Sequence, residues 1–405
     1  MDPLEIMLDL EKAKPYYQAI FSADSHEVTG YQVLGYIETE TGNKSLSEFF
    51  QDDNVPEDFK IEMDRHLHKQ ALEQFIEADL KTSIYLIVHQ DYLMSSEEDD
   101  FIQEILSYEE RGLDLSQVVI EIVEQDDIKK VSVLANSVKY LKTFGVKFAI
   151  NDALKGANNL DRISTLEPDI IKINLASLQS QSFIDNYQNI IYSLSLLARK
   201  VGAELLFDGI HSSYQFHYAW RRNGRYYQGE FFSGAKSHFV ENTVWKDKFK
   251  QDIGQFIAIE RSNLTAKYQL TAQLNQQFHD VLIQTKRVKE LDSRLELIAE
   301  EFQAICFRMY VTDGEGFQKT VNIEYKESNW VADQSVKSKN WSWRPYFIEN
   351  VIRMNEEKVG ILSDLYSDIE TGEMIRTFSY PMAADLYLFM DISQMYMDDN
   401  PYLLW

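Results

Sequence analysis

Between Tyr17 and Tyr227, short β-rich runs alternate with longer helical ones, and this alternation restricts the fold more than any other feature. The pattern predicts strands over Tyr17–Phe21, Thr29–Ile37, Ile84–His89, Val118–Val123, Lys147–Asn151, Ile170–Ile173, Glu204–Asp208 and Tyr226–Gln228. Val118-Val119-Ile120 and Ile170-Ile171 are almost continuously apolar, as strands covered on both faces are. Between the runs, helices are predicted over Phe59–Ala78, Ile128–Phe144, Phe183–Val201 and Ser212–Arg222. Ile128, Val131, Leu134, Val138 and Leu141 recur at helical spacing. Strands alternating with helices imply a parallel sheet with crossovers. About eight strands in this length fit a closed (β/α)8 barrel better than an open sheet. Only Ser22–Val28 separates the first two runs, so these form an antiparallel hairpin. The expected fold is therefore α/β, a TIM-like barrel with an antiparallel first strand.

Beyond the barrel the pattern changes. Val244–Val288 reads as one long helix, with Trp245, Phe249, Ile253, Phe256, Leu264, Tyr268, Leu274, Phe278 and Val281 on an apolar stripe. Gly254 and Asn263 weaken it, so a break is expected to be tolerated there. Such a stripe needs a partner, either a second copy in a coiled-coil-like dimer or the chain's own domains. Leu291–Gln303 is a further helix, after which the chain turns β-rich. Phe307–Thr312 and Thr320–Tyr325 flank Asp313-Gly314-Glu315-Gly316 as a hairpin, followed by runs over Glu357–Tyr366, Glu373–Tyr380 and Leu386–Ile392. The expected organisation is a barrel over 1–243, a connecting helix over 244–290 and an α+β domain over 291–405.

Composition excludes several classes. The net charge of −25 disfavours binding to long nucleic-acid polymers, where phosphate neutralisation supplies most of the affinity. No apolar run approaches the roughly 18 residues of a membrane span. The N-terminus is acidic, without the basic stretch of a signal peptide. The single cysteine, Cys306, rules out an intrachain disulfide. A cytoplasmic location with no membrane insertion is expected.

In a (β/α)8 barrel, the functional site lies at the C-terminal ends of the strands. Those ends carry Gln32, His89, Glu121 and Glu124, Asn151 and Asp152, Lys172 and Asn174, Asp208, and Gln228. Nearly every strand thus aims a polar residue at one face, which marks a candidate site.

The same segments resemble the EAL family of cyclic di-GMP phosphodiesterases. Tyr17-Gln18-Ala19-Ile20 is similar to the family's Tyr-Gln-Pro-Ile strand, and Gly30-Tyr31-Gln32-Val33-Leu34 to Gly-Tyr-Glu-Ala-Leu. Glu121-Ile122-Val123-Glu124 resembles Glu-Ile-Thr-Glu, and Asn151-Asp152-Ala153-Leu154 resembles Asp-Asp-Phe-Gly. Pro168-Asp169-Ile170-Ile171-Lys172-Ile173-Asn174 resembles Pro-Asp-x-x-Lys-Ile-Asp; Asp208-Gly209-Ile210-His211 resembles Glu-Gly-Val-Glu; Gln228-Gly229 resembles the family's Gln-Gly. Seven matches in order carry the resemblance. The whole chain is similar to the YkuI-type members, which join an EAL barrel to a PAS-like domain.

The resemblance implies cleavage of cyclic di-GMP to pGpG by two Mg²⁺ or Mn²⁺ ions, which activate a water and hold the phosphate oxygens. It implies metal ligands at Gln32, His89, Glu121, Asn151, Asp152 and Asp208, a water-ordering lysine at Lys172, and nucleotide contacts from Gln32, Leu34, Lys172 and Gln228. Glu121, Asp152 and Lys172 are the catalytic candidates. Three of the four positions around the first metal have changed, however. Gln32 stands for a glutamate, His89 for an asparagine and Asn151 for the bridging aspartate, while Glu121 is kept. Asp208 replaces a glutamate, and Tyr36 replaces a phosphate-binding arginine. An amide oxygen can coordinate but neutralises no charge, so Mg²⁺ or Mn²⁺ is expected to bind weakly or not at all.

The function expected is that of a cyclic di-GMP-binding effector or sensor, catalytically inactive or very weak, acting as a homodimer with an unidentified protein partner. The alternatives are a working phosphodiesterase using Mn²⁺ with His89 and Asp208 as altered ligands, and a dimeric scaffold that binds no nucleotide. In the C-terminal domain, Asn340–Phe347 and Thr371–Arg376 look like PAS or Cache sensor sequence. Arg344 and Arg376 are candidates to hold a carboxylate there, and Trp341 and Trp343 also suit a core or an interface.

Overall fold

The first hairpin sets the frame of the barrel. In the computed structural model, which describes residues 6–7, 9–39, 42–52, 54–93, 101–123, 128–151, 159–176, 184–344 and 347–404, β1 (Ala13–Ser22) and β2 (Val28–Thr39) pair antiparallel, with Gln18 opposite Gln32 and Tyr16 opposite Leu34. A short strand, β3 (Gly42–Ser45), extends this hairpin. Its sequence, Gly-Asn-Lys-Ser, is exposed and has no apolar alternation, so the sequence pattern does not reveal it.

β2 pairs parallel with β4 (Ser83–His89). Then β5 (Val118–Val123), β6 (Lys147–Ile150), β7 (Ile170–Asn174), β8 (Glu204–Asp208) and β9 (Tyr226–Tyr227) follow in order, each parallel to the last. β9 returns antiparallel to β1 and closes the ring. This is the expected barrel with one antiparallel strand. The longer crossover helices are α1 (Glu57–Glu77), α2 (Ile128–Lys142), α3 (Asn159–Leu166), α4 (Ile184–Val201) and α5 (Ser213–Arg221), and the short helices Gln90–Leu93 and Phe101–Ser107 lie between β4 and β5. α5 is capped by the Ser212 hydroxyl, which accepts from the Gln215 amide.

Six strands fill the barrel interior with one layer: Ile20, Tyr85, Val119, Ala149, Ile170 and Leu206. Side chains on a strand repeat their direction every second residue. Two residues nearer the barrel mouth, the same strands therefore present Gln18, Ile87, Glu121, Asn151, Lys172 and Asp208. An apolar floor thus passes to a polar layer within one pleat.

The chain divides into two compact units, Met1–Gly254 and Gln255–Trp405. α6 spans Lys246–Gln284 as one helix of 39 residues. It continues through Gly254 and Asn263, because a single glycine costs only about 1 kcal/mol against a helix fixed on both sides. Within the first unit, its Phe249 packs on Phe21, Phe216 and Phe232. Within the second, Leu270, Leu274, Phe278 and Val281 join a core with Leu295, Ile298, Phe302 and Phe378. Phe278 stacks on Phe302 with ring centroids 4.1 Å apart. Much of the apolar stripe is thus covered by the chain itself, whereas Leu264 and Tyr268 stay exposed.

The second unit also contains α7 (Leu291–Glu301), α8 (Phe347–Glu357) and α9 (Gln394–Asp399) around a six-stranded antiparallel sheet. Its strands are β10 (Cys306–Asp313), β11 (Asn322–Lys326), β12 (Asn329–Asp333), β13 (Ile361–Leu362), β16 (Thr377–Ala383) and β17 (Leu386–Ile392), in the order β12-β11-β10-β17-β16-β13. β14 (Tyr366–Ser367) and β15 (Met374–Ile375) form a separate small hairpin around Thr371-Gly372-Glu373. Among the described residues, no helix is long and apolar enough to cross a membrane.

Candidate functional site at the barrel mouth

Glu121 is at the centre of the polar layer. It is fully buried, with 0% exposure. A carboxylate in that position must be satisfied internally or give up its charge. The Gln32 amide Nε2 donates to Glu121 Oε2 at 2.8 Å. From β7, Lys172 Nζ lies 3.4 Å from Oε1 and 3.3 Å from Oε2. The same ammonium is 3.3 Å from Asp208 Oδ2 on β8. Burial pushes the Glu121 carboxyl above its usual range; Lys172 opposes that shift and Asp208 adds to it. Burial also disfavours the Lys172 ammonium, but Asp208 and Glu121 outweigh it and hold its pKa above the ordinary value.

An amide chain continues from Gln32. Gln228 Nε2 donates to Gln32 Oε1 and, at 2.8 Å, to Gln18 Oε1. Gln18 Nε2 in turn reaches the Ser233 carbonyl at 3.4 Å. Gln228 Oε1 is buried without a hydrogen-bond partner. Gln18 is missing from the list of strand ends because it sits inside β1. The signal that could have found it is the hairpin register, which sets it opposite Gln32.

The other candidates are placed as follows. Leu34 shares the Gln32 face of β2 one pleat nearer the mouth and is half-buried. Tyr36 follows on that face and stacks on Tyr16 with centroids 4.3 Å apart. His89 lies one pleat beyond Ile87, with its Nδ1 3.3 Å from Glu57 Oε2 at the start of α1. Asn151 ends β6, half-buried, and its backbone N–H donates to the Ile122 carbonyl at 3.3 Å. Asn174 Oδ1 accepts from the Ala176 amide and turns the chain after β7. Asp152 and Glu124 fall outside the described residues.

Gly229 fixes the backbone behind Gln228. Its φ is +150°, and an added Cβ would lie 2.2 Å from the Ile210 carbonyl oxygen. Gly229→Ala should therefore lower the barrel's unfolding free energy by about 2–3 kcal/mol, since no flexible side chain can yield there. Urea unfolding followed by circular dichroism measures this, and an unchanged midpoint would contradict it.

In the C-terminal unit, the Arg344 guanidinium lies over Trp341 at 4.9 Å, Trp343 at 5.8 Å and Tyr366 at 5.9 Å. Arg376 departs from expectation. It is buried, and it donates to the carbonyls of Leu403 at 2.5 Å and Ser363 at 2.7 Å. Those bonds fasten the C-terminal turn to the sheet edge and leave Arg376 poorly placed to clamp a ligand. Trp341 is partly buried on the Tyr310–Phe389 cluster, whereas Trp343 is exposed. Cys306 is buried, and burial pushes its thiol pKa well up, which makes it inert.

Two family models match the chain. The EAL domain covers residues 2–235, and the EAL-domain associated signalling protein domain covers 239–404. The chain belongs to the EAL family. It is 39% identical over 406 residues to the uncharacterised EAL-domain containing protein YkuI of Bacillus subtilis, covering 100% of both chains. It is 23% identical over 132 residues, 33% of each chain, to the blue light- and temperature-regulated antirepressor BluF of Escherichia coli. Among solved structures, B. subtilis YkuI in complex with substrate c-di-GMP and calcium superposes with a TM-score of 0.91 at 40% identity, covering 98% of this chain and 100% of that one. The FimX EAL domain of Pseudomonas aeruginosa bound to c-di-GMP gives 0.51 at 19% identity, over 59% of this chain and 98% of that one, a likeness of fold.

The solved YkuI complex holds calcium, and the EAL family is one of metal-dependent phosphodiesterases. The described residues of this chain do not fit such an ion. A carboxylate can only accept, so Gln32 must face Glu121 with its nitrogen, and its oxygen is engaged by Gln228. Both Glu121 oxygens are taken by Gln32 and Lys172. No group of three His, Cys, Asp or Glu stands together among the described residues. Hard divalent ions need several oxygen ligands, preferably charged ones.

Proposed function

We propose that the barrel is a cyclic di-GMP receptor with little or no hydrolytic capacity, and that the protein acts in signalling. The observation that carries this reading is the Gln32–Glu121 hydrogen bond, an internal amide where hydrolysis needs a metal-binding carboxylate. Without a bound metal, nothing among the described residues of the layer lowers the pKa of an attacking water. The recognition groups remain: Lys172 for phosphate, and the Gln18, Gln32 and Gln228 amides for polar edges of a nucleotide. The full-length likeness to YkuI, solved with c-di-GMP, supports that ligand.

On this reading the protein works in the cytoplasm as a homodimer, and the C-terminal unit passes a signal to a protein partner. The exposed Leu264 and Tyr268 on α6 support a second copy, and the single buried Cys306 suits a reducing compartment. The test is a calorimetric titration of cyclic di-GMP into the full chain with Mn²⁺ present, followed by chromatography of the product. A saturable isotherm with no pGpG is expected. Sustained heat with pGpG accumulating would overturn the receptor reading in favour of an enzyme.

A further inference from the structure

We infer that this barrel holds its nucleotide without a divalent cation, the Lys172 ammonium supplying the positive charge that a metal would otherwise bring to the phosphate. The inference rests on the receptor reading and deepens it.

Three observations converge. The first is saturation. Glu121, with 0% exposure, already receives Gln32 and Lys172, so a cation would have to break a buried ion pair to reach it. Of the side chains in this cluster, Gln228 offers a buried oxygen without a hydrogen-bond partner. One neutral oxygen does not hold a hard ion, but it does fit an N–H of the ligand.

The second is charge. Gln32 and Asn151 are amides where the family resemblance implies carboxylates. Replacing both removes two negative charges, the same amount that one divalent ion would neutralise. The mouth therefore repels a phosphate less, and draws a divalent ion less, than it would with carboxylates at both positions.

The third is geometry. Lys172 is 1% exposed, 3.3 Å from Glu121 and 3.3 Å from Asp208. An ammonium has three N–H donors. One N–H shared between Glu121 Oε1 and Oε2, at 3.4 and 3.3 Å, and a second on Asp208 fix the side chain and leave the third for a phosphate oxygen. Asp208 is 22% exposed along its side chain and marks the open side of this cluster.

The experiment uses the full chain and three titrations. Mn²⁺ alone is titrated into the protein, and cyclic di-GMP is titrated in EDTA and in millimolar Mn²⁺. No saturable Mn²⁺ heat is expected, and the two nucleotide dissociation constants should agree within about twofold. A nucleotide affinity roughly tenfold or more weaker in EDTA would overturn metal independence and leave the receptor reading intact. No nucleotide binding in either buffer would overturn the receptor reading, and this inference with it. The double variant Gln32→Glu/Asn151→Asp, nearly isosteric, should gain saturable Mn²⁺ binding and a metal-dependent nucleotide affinity. If it stays indifferent to Mn²⁺, the amides are not what excludes the ion, and the inference fails.

Discussion

Lys172→Met is expected to destabilise the barrel by about 3 kcal/mol near neutral pH, and the loss should shrink on acidification. The reasoning starts from burial. Glu121 has 0% exposure and depends on Lys172 and the Gln32 amide. Without the ammonium, the cheapest remaining state is a protonated Glu121. Protonating a carboxyl of ordinary pKa 4.5 at pH 7 costs roughly 2.5 pH units, or about 3.4 kcal/mol, which caps the penalty. The sign follows from the direction of the shift. A carboxyl whose folded pKa is raised contributes most below its unfolded pKa and loses that contribution as pH rises through the folded value. The variant should therefore approach the wild type as pH falls toward 4.5. Urea unfolding at pH 7.5 and pH 5, with the transitions of the two units fitted separately, checks this. A deficit that is absent at pH 7.5, or that grows at pH 5, would contradict the ion-pair account. Adding Glu121→Gln to the same chain should recover most of the loss, because an amide leaves no buried charge to compensate.

A comparable loss is expected in the C-terminal unit from Arg308→Met. Arg308 is 5% exposed on β10 and serves three carboxylates. Its Nε donates to Asp391 Oδ2 at 2.6 Å, its Nη2 to Asp368 Oδ1 at 2.8 Å, and its Nη1 to Glu370 Oε2 at 2.9 Å. Thr377 also donates to Asp391, and Thr371 to Asp368. The network pins the β14–β15 hairpin to the sheet. Removing the guanidinium leaves two buried aspartates uncompensated, at a cost of about 3–5 kcal/mol. Burial alone would raise the pKa of Asp368, yet Arg308 and the Thr371 hydrogen bonds outweigh it and hold it below the ordinary 3.8. A carboxyl lowered in this way stabilises the fold above its unfolded pKa and loses that contribution as pH falls through the folded value. The gap between wild type and variant should accordingly be widest near neutrality and narrow toward pH 4. Thermal unfolding across that range tests it. A gap under about 1 kcal/mol, or one independent of pH, would mean that packing holds the hairpin.

Much of the architecture was legible in the residues. Alternating apolar runs and helical spacing specified the barrel, and the short Ser22–Val28 link specified its antiparallel first strand. The polar layer was legible too, because strand pleating is local. Once Val119, Ile170 and Leu206 face inward, Glu121, Lys172 and Asp208 must follow two residues later. The replacement of carboxylates by Gln32 and Asn151 needed no structure at all.

Tertiary structure alone decided which of those groups meet. Nothing in the sequence tells that Lys172 bridges Glu121 and Asp208, as it does in the fold. Gln18 entered the site because strand register set it opposite Gln32. Arg376 turned inward to backbone carbonyls that lie far from it in sequence, and Arg308 gathered carboxylates 60 to 83 positions away. Periodicity and propensity act over a few residues, so a sequence determines them directly. Pairing across a closed barrel or a sheet depends on register, burial and the satisfaction of charges from distant segments, and those are settled only when the chain has folded.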